Sequence, residues 1–430
     1  VTDETVTRAE PRRHLGGTRG QLVLLGALTG LTPLAVDMYL PALPVLTRDL
    51  HSTSSATQLT LAALLVGLAG GQLIAGPVSD RVGRRPPVLI GLAGFVLASV
   101  GCAFAPSVPL LVALRLLQGF AGAAAVVVAR AVVRDLYEGA AAARAFASLM
   151  LVMGAAPIFA PVLGAQVLRV TSWRGVFVVL AFAGAALLLA TARKLPETLP
   201  PDCRSAGGLG PTLRVFAMLL RDRRFLLPTL AGGAGFAAMF AYISGSSNVL
   251  QEVHGLSAQQ FSAVFGLNAT VLILLSQVSA RVVGRTGPRR LLLIGTATQV
   301  VGGVLLVVAA LAEFGLPVVL LGLVLVVGAG GFNYPNATAL ALEHHGRTAG
   351  AASALLGVLQ YVLGAVAAPL TGLGGSRTGT PMAVTMLGCA VVAFGCALAS
   401  VRVATRAGAG LEPAPADRRR APSEVDSGPG

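Results

Sequence analysis

Twelve apolar stretches of about 20 residues or slightly more follow one another through this 430-residue chain, from Gln21 to Arg402, separated by short turns rich in Pro, Gly and Arg. At 1.5 Å of rise per residue, about 20 helical residues cross a hydrocarbon core roughly 30 Å thick. No water is available there, so a spanning segment has to satisfy every backbone N–H and C=O internally, which an α-helix does. The stretches fall at 21–43, 57–79, 87–106, 108–133, 145–168, 174–194, 225–249, 260–283, 291–311, 316–342, 348–371 and 380–401. With 55% hydrophobic and only 12% charged residues, the expected fold class is an all-α polytopic membrane protein.

The formal net charge of +14 would suggest a nucleic-acid partner if the bases were clustered on a soluble surface. They are distributed otherwise. With the N-terminus placed inside, 27 of the 32 Lys and Arg residues fall on the cytoplasmic side. Only Arg48, Arg169, Arg174 and Arg377 fall outside, and Arg115 lies within a span. This is the asymmetry that the positive-inside rule expects of a chain with both termini in the cytoplasm. The charge is read as topology, with a lipid bilayer and not a nucleic acid as the partner. Lys194 is the only lysine, and the Arg-, Ala- and Gly-rich composition fits a GC-rich bacterial genome, so the expected location is the bacterial inner membrane. Cys102, Cys203, Cys389 and Cys396 have no metal-ligand spacing, and no metal or cofactor is expected.

Residues 1–19 and 403–430 read as disordered cytoplasmic tails, 20–195 and 225–402 as two six-helix bundles, and 196–224 as the cytoplasmic linker between them. Within the linker, Pro211 to Arg224 can form an interfacial helix with Leu213, Phe216, Met218, Leu219 and Leu220 toward lipid, or remain a solvated connection. The loop Gly76-Pro-Val-Ser-Asp80-Arg81-Val-Gly83-Arg84-Arg85 follows the second stretch, and a degraded copy at 281–290 follows the eighth. Superposing the two sets Gly83 over Gly287 and makes the halves parallel repeats. Such repeats place a transport site near the midplane between the halves, exposed to each side in turn as one half rocks against the other.

A charge at bilayer depth costs several kcal/mol, roughly 2.5 to above 10, so ionisable residues inside spans mark function. Asp37 is the one acid well inside a span, and Arg115 is the matching base. Both lie about 10 Å from the outer surface, a shared depth that allows a direct or water-bridged pair without placing the two helices side by side; such a pair suits either the uptake and release of a proton or a static link between helices. Gln118, Gly119 and Gly122 share a helical face with Arg115. Asn333, Asn336, Gln360 and Tyr361 suit either a mixed polar pocket or hydrogen bonds between helices, while Met38, Tyr39 and Phe236 offer apolar contacts to a substrate. Clustered His, Cys or carboxylates and a P-loop are both lacking in the sequence, so no enzyme is expected.

The loop from Gly76 to Arg85 resembles the signature loop of the major facilitator superfamily, and Leu114-Arg115-Leu-Leu-Gln118-Gly119-Phe-Ala-Gly122 resembles the fourth-span motif of its proton-driven drug antiporters. More narrowly, 31–44 around Asp37, Ala160-Pro-Val-Leu-Gly164, Trp173-Arg-Gly-Val-Phe177, 334–342 and 349–360 resemble the Bcr/CflA drug-resistance exporters. The resemblance implies a twelve-helix major facilitator fold of two parallel six-helix repeats. It implies a monomer that exports small amphipathic drugs, chloramphenicol- or bicyclomycin-like, in exchange for protons, with Asp37 and Arg115 coupling the two. A metabolite exporter or uptake symporter of the same fold is the alternative. It also implies a cytoplasmic clasp of Gly76, Asp80, Arg81, Gly83 and Arg84 or Arg85, which reaches the eleventh span when the carrier faces outward. Asp80 is expected to gain from a helix N-terminus, and the arginines to pair with Asp135. Thr29 and Gly30 stand where some relatives carry a second acid, and Ala160-Pro161 replaces the usual Gly-Pro of the fifth span.

Overall fold

The protein is described from a computed structural model covering residues 18–204, 209–345, 348–373 and 378–409. Its regular elements among these residues are helices: α1 (Arg19–Asp37), α2 (Leu43–Asp49), α3 (Ser54–Val82), α4 (Arg85–Ala103), α5 (Val108–Leu136), α6 (Gly139–Val170), α7 (Trp173–Lys194), α8 (Leu209–Arg221), α9 (Arg223–Ser247), α10 (Ala258–Thr286), α11 (Pro288–Leu311), α12 (Leu316–Leu342), α13 (Ala349–Leu370) and α14 (Thr380–Ala409). Twelve helical segments are long and apolar enough to cross a membrane, and the stretches expected from sequence fall within or beside them.

Local chemistry explains the boundaries. Thr18 with Gln21 and Ser257 with Gln260 form capping boxes that start α1 and α10, and Asp222 caps α9 through the Arg224 N–H. The first span is not one helix as expected. Pro41 and Pro44 lack amide hydrogens and disfavour helix in the residues before them, so α1 ends at Asp37 and the chain passes through a 3₁₀ turn (Leu40–Ala42) into α2. Gly83 and Gly287, matched in the sequence repeat, both take positive φ (102° and 77°) where α3 and α10 stop. The two loops are thus equivalent in backbone although the second lacks the acid.

Within the first half α3 packs on α5 and α4 on both α5 and α7; within the second, α10 and α11 pack on α12 in the corresponding way. The α3–α5 crossing is close because Gly67, Gly71 and Gly119 place backbone against backbone: a Cβ at any of them would run into a main-chain oxygen of the facing helix. The halves meet along α3–α13 and α6–α10.

The end of the bundle at which α3 passes to α4 is called here the basic end, and the opposite one the far end. At the far end polar bonds tie the halves together. Ser55 Oγ donates to Pro369 O (3.1 Å), Gln58 Nε2 to Ser244 O (3.2 Å), Ser247 Oγ to Leu40 O (2.7 Å) and Ser262 Oγ to Pro161 O (3.0 Å). Arg48 and Glu252 add an ion pair at 3.6 Å. The far end is closed.

Two expectations for the polar segments change. The linker helix exists, but Phe216 and Leu219 are buried against Phe225, Ala341, Leu355 and Leu356 of the second half rather than turned to lipid, leaving Leu213, Met218 and Leu220 exposed. The helical period puts Met218 on the opposite face, while Leu213 and Leu220, at i−3 and i+4 of Phe216, flank the buried pair at the edge of its stripe. Helix α14 continues to Ala409, past the start of the expected tail at 403; residues 1–17 and 410–430, expected to be disordered, lie outside the described residues.

Candidate functional site

Asp37 ends α1 just before the proline-rich break and is 3% exposed. Among the described residues it has no ion pair and no hydrogen bond. Its surroundings come from both halves. On its own side the Met38 backbone rests against Gly164 of α6, where a side chain would not fit. Across the seam Tyr242 of α9 lies within electrostatic range. The Tyr242 hydroxyl accepts from Asn268 Nδ2 of α10 at 3.0 Å, and its ring stacks on Phe265 at 5.3 Å. The Asn268 Oδ1 is buried without a partner. A carboxylate here has polar groups on one side and no counter-charge, so proton binding changes the local charge where the two halves touch.

The expected Asp37–Arg115 pair is not formed. Arg115, fully buried, donates from Nη1 to Ala35 O (3.0 Å) and Gln118 Oε1 (2.7 Å), and its guanidinium lies 4.9 Å from the Tyr39 ring centroid and 5.6 Å from that of Phe177. Gln118 passes the network on to Ser99 Oγ (2.7 Å), and Tyr39 meets Thr60 through their hydroxyls (3.1 Å). Tyr39 stands two residues after Asp37, so the ring that faces Arg115 turns the carboxylate the other way, toward the seam. Equal depth did not imply a shared face. Arg115 therefore fixes the α1 break from inside the first half, with ring faces supplying part of its electrostatic compensation.

The residues expected to line a cavity divide in the same manner. Met38, Tyr39 and Gln118 are buried within the first half. Asn333 donates to Gln299 Oε1 (2.9 Å) and Asn336 to Ser279 Oγ (2.8 Å), inside the second half, so both take the interhelical alternative. Phe236, Gln360 and Tyr361 are half-buried. The Phe236 ring lies 5.9 Å from Tyr361, 6.2 Å from Tyr334 and 5.1 Å from Phe240, and Tyr361 faces Gln72 and Arg130 of the other half. These three remain at the seam.

The loop at the basic end forms a compact cluster. Arg84 binds Asp80, Asp135 (Nε to Oδ2, 2.8 Å) and Ser79 Oγ (3.0 Å), while Thr198 also donates to Asp135 (2.9 Å). Arg85 Nη2 reaches Ala192 O (2.6 Å), and Arg81 is exposed. Asp80 lies in the last turn of α3 and gains nothing from a helix N-terminus, contrary to expectation; the acid at the start of α4 is Glu197. Its carboxylate accepts the backbone N–H groups of Arg84 (2.7 Å), Arg85 (3.1 Å) and Leu199 (3.1 Å). Burial opposes that charge, but the three donors outweigh it and hold the carboxyl below the usual glutamate range. The cluster belongs to the first half and the start of the linker, and its described bonds do not extend to α13.

A family model described as "Major Facilitator Superfamily" matches residues 25–369, most of the chain. The chain belongs to the major facilitator superfamily. This facilitator is 38% identical to the uncharacterised transporter YdgK of Bacillus subtilis, over 84% of its own length and 90% of that protein. It is 32% identical to a bicyclomycin resistance protein homolog of Haemophilus influenzae, over 85% and 92% of the two chains. Among solved structures, a bacterial homolog of the human lysosomal transporter Spinster, in an inward-facing and occupied conformation, shares the fold with a TM-score of 0.72 at 15% identity, covering 93% of this chain and all of that one.

Sequence reasoning did not find Tyr242, Asn268, Glu197 or Arg130 as parts of this facilitator's sites. Tyr242 and Asn268 carried the same signal as Asn333, a polar group at span depth. Glu197 lies far along the chain from the loop it binds, and a Pro-Glu-Thr segment after a span has no motif of its own. Arg130 is one of the 27 bases that the charge distribution assigns to the cytoplasmic side, and so carries no separate signal.

Proposed function

We propose that this facilitator exports small amphipathic drugs or toxicants across the bacterial inner membrane in exchange for protons, by alternating access, with its basic end and both termini in the cytoplasm. One observation carries the reading: Asp37, buried and without a counter-charge, stands at the seam between the halves, beside Tyr242. The distribution of Lys and Arg supports the orientation, and the bicyclomycin resistance relative supports the substrate class. In that orientation the closed far end shuts this conformation off from the outside.

In the outward-facing state Asp37 takes a proton from outside as drug leaves. The halves, residues 20–195 and 225–402 joined by the linker 196–224, then rock so that the far end closes through Gln58, Ser247 and Ser262. Drug binding from the inside favours release of the proton to the cytoplasm, and the loaded carrier reopens outward. Coupling requires that proton and drug bind the same states with different affinity, and the uncompensated carboxylate supplies that difference. Arg115 acts as a positioning residue by holding the break that presents Asp37. Arg84, Asp80 and Asp135 brace the basic end of the first half so that it moves as a unit.

The test uses inside-out vesicles carrying a respiration-driven proton gradient and a panel of antibiotics, including chloramphenicol. A substrate entering the lumen in exchange for protons dissipates the gradient in a dose-dependent way, and expression in a pump-deficient host raises resistance to the same compound. If no member of the panel does either, drug–proton exchange is refuted.

A further inference from the structure

The proposed proton cycle does not use Arg130. It lies in α5, about 22 Å along the helix from Arg115 toward the basic end. A base at that depth would ordinarily extend to the headgroups. This one faces the seam. Its Nη2 is 3.8 Å from the Met153 sulfur on α6, and Tyr361 on α13 of the opposite half lies within electrostatic range. Its Nε is buried without a hydrogen-bond partner.

The neighbours make a patch of defined chemistry. Gln72 of α3 faces Tyr361, and its Oε1 is 3.2 Å from where a Cβ on Gly357 would stand. Tyr361 continues into the ring cluster of Phe236 and Tyr334. The acids are occupied elsewhere: Asp80 and Asp135 bind Arg84, Asp37 faces Tyr242, and Glu343 is exposed at the end of α12.

We propose that Arg130 is the recognition residue for neutral or anionic aromatic amphipaths bearing hydrogen-bond acceptors, and that it excludes lipophilic cations; this rests on the drug-export reading above. A guanidinium only donates, and its Nε and Nη2 edge forms a fork that matches a carbonyl, nitro or carboxylate group. The thioether now beside Nη2 is a weak acceptor that such a group displaces. The aryl body of the ligand lies on Phe236, Tyr334 and Tyr361. A permanent cation meets like charge in a medium that screens poorly, so selectivity comes from repulsion as well as attraction.

Equilibrium binding of chloramphenicol, neutral and acceptor-rich, and of tetraphenylphosphonium, a cation without acceptors, is measured on the same nanodisc preparations of wild type, Arg130→Gln and Arg130→Lys. Wild type is expected to bind chloramphenicol more tightly. Arg130→Gln weakens chloramphenicol by about 10- to 100-fold and leaves tetraphenylphosphonium unchanged or tighter. Arg130→Lys keeps the exclusion of the cation but loses part of the chloramphenicol affinity. The ratio of the two affinities within one sample does not depend on the folded fraction, so a destabilised variant still reports. An unchanged ratio in Arg130→Gln overturns the assignment, as does wild type binding tetraphenylphosphonium at least as tightly as chloramphenicol, or binding neither. If cations alone dissipate the vesicle gradient, the Arg130 assignment falls while drug–proton exchange stands; if no compound does, both fall.

Discussion

Replacing Glu197 by alanine removes the group that holds the start of α4 to the end of α7. Three N–H groups, those of Arg84, Arg85 and Leu199, lose a charged acceptor at 2.7 to 3.1 Å. A hydrogen bond to a charged group contributes about 1.5–3 kcal/mol, and a lost N-terminal cap costs about 0.5–2 kcal/mol. Because Glu197 is half-buried and water can replace part of the loss, the combined cost is about 2–4 kcal/mol. For a chain of 430 residues that lowers Tm by roughly 2–5 °C. Glu197→Gln, which keeps one acceptor oxygen but no charge, should lose about half as much. The assay is thermal unfolding of purified protein in detergent, followed by burial-sensitive fluorescence, with exposed Asp202→Ala as the control. The folded-state pKa of Glu197 lies below its unfolded value of 4.5. Its contribution is therefore complete above about pH 5 and is lost as pH falls through the folded value, so wild type and Glu197→Ala should converge in acid. If the two differ by less than 1 °C at pH 7, or if the gap widens on acidification, Glu197 does not brace the loop.

Three further outcomes are expected. Gly119→Val forces α5 off the Leu64 carbonyl and should abolish accumulation of folded protein in the membrane, while Gly388→Val, with open space around it, should accumulate like wild type. Gln58→Ala combined with Ser247→Ala removes two far-end bonds, a cost of about 1–3 kcal/mol to the closed state; a cysteine at Ser54 should then react with an impermeant maleimide from outside about 5- to 100-fold faster, and unchanged labelling would show that these bonds do not hold the gate. Arg115→Lys keeps the charge but loses the planar guanidinium that lies against Tyr39 and Phe177 and whose Nη1 reaches Ala35 O and Gln118, so coupled drug–proton exchange should fall about tenfold or more with Tm altered by only a few degrees.

The spans were legible because length and hydropathy are properties of single segments, and the Gly83–Gly287 equivalence because a positive φ calls for glycine in both loops. Asp37 was legible for a related reason: a lone acid at span depth stands out in any arrangement of helices. What the chain could not disclose was which faces meet. Arg115 and Asp37 share a depth, but Tyr39 intervenes on the helix turn. Asn333 and Gln360 look alike as amides in apolar sequence, yet one donates to Gln299 inside a half and the other lies at the seam. Arg130, near the end of its span, looked like a topological marker until α6 and α13 were placed beside it. Depth can be counted from one segment, whereas facing is a property of pairs.

The account rests on Asp37 as the proton carrier, and the most direct measurement is drug-dependent proton movement in inside-out vesicles bearing Asp37→Asn, paired with binding of the same drug. The account predicts that drug still binds within a few-fold of wild type but no longer dissipates the proton gradient. Vesicles of Asp37→Asn that dissipate the gradient on drug addition as wild type does would contradict it.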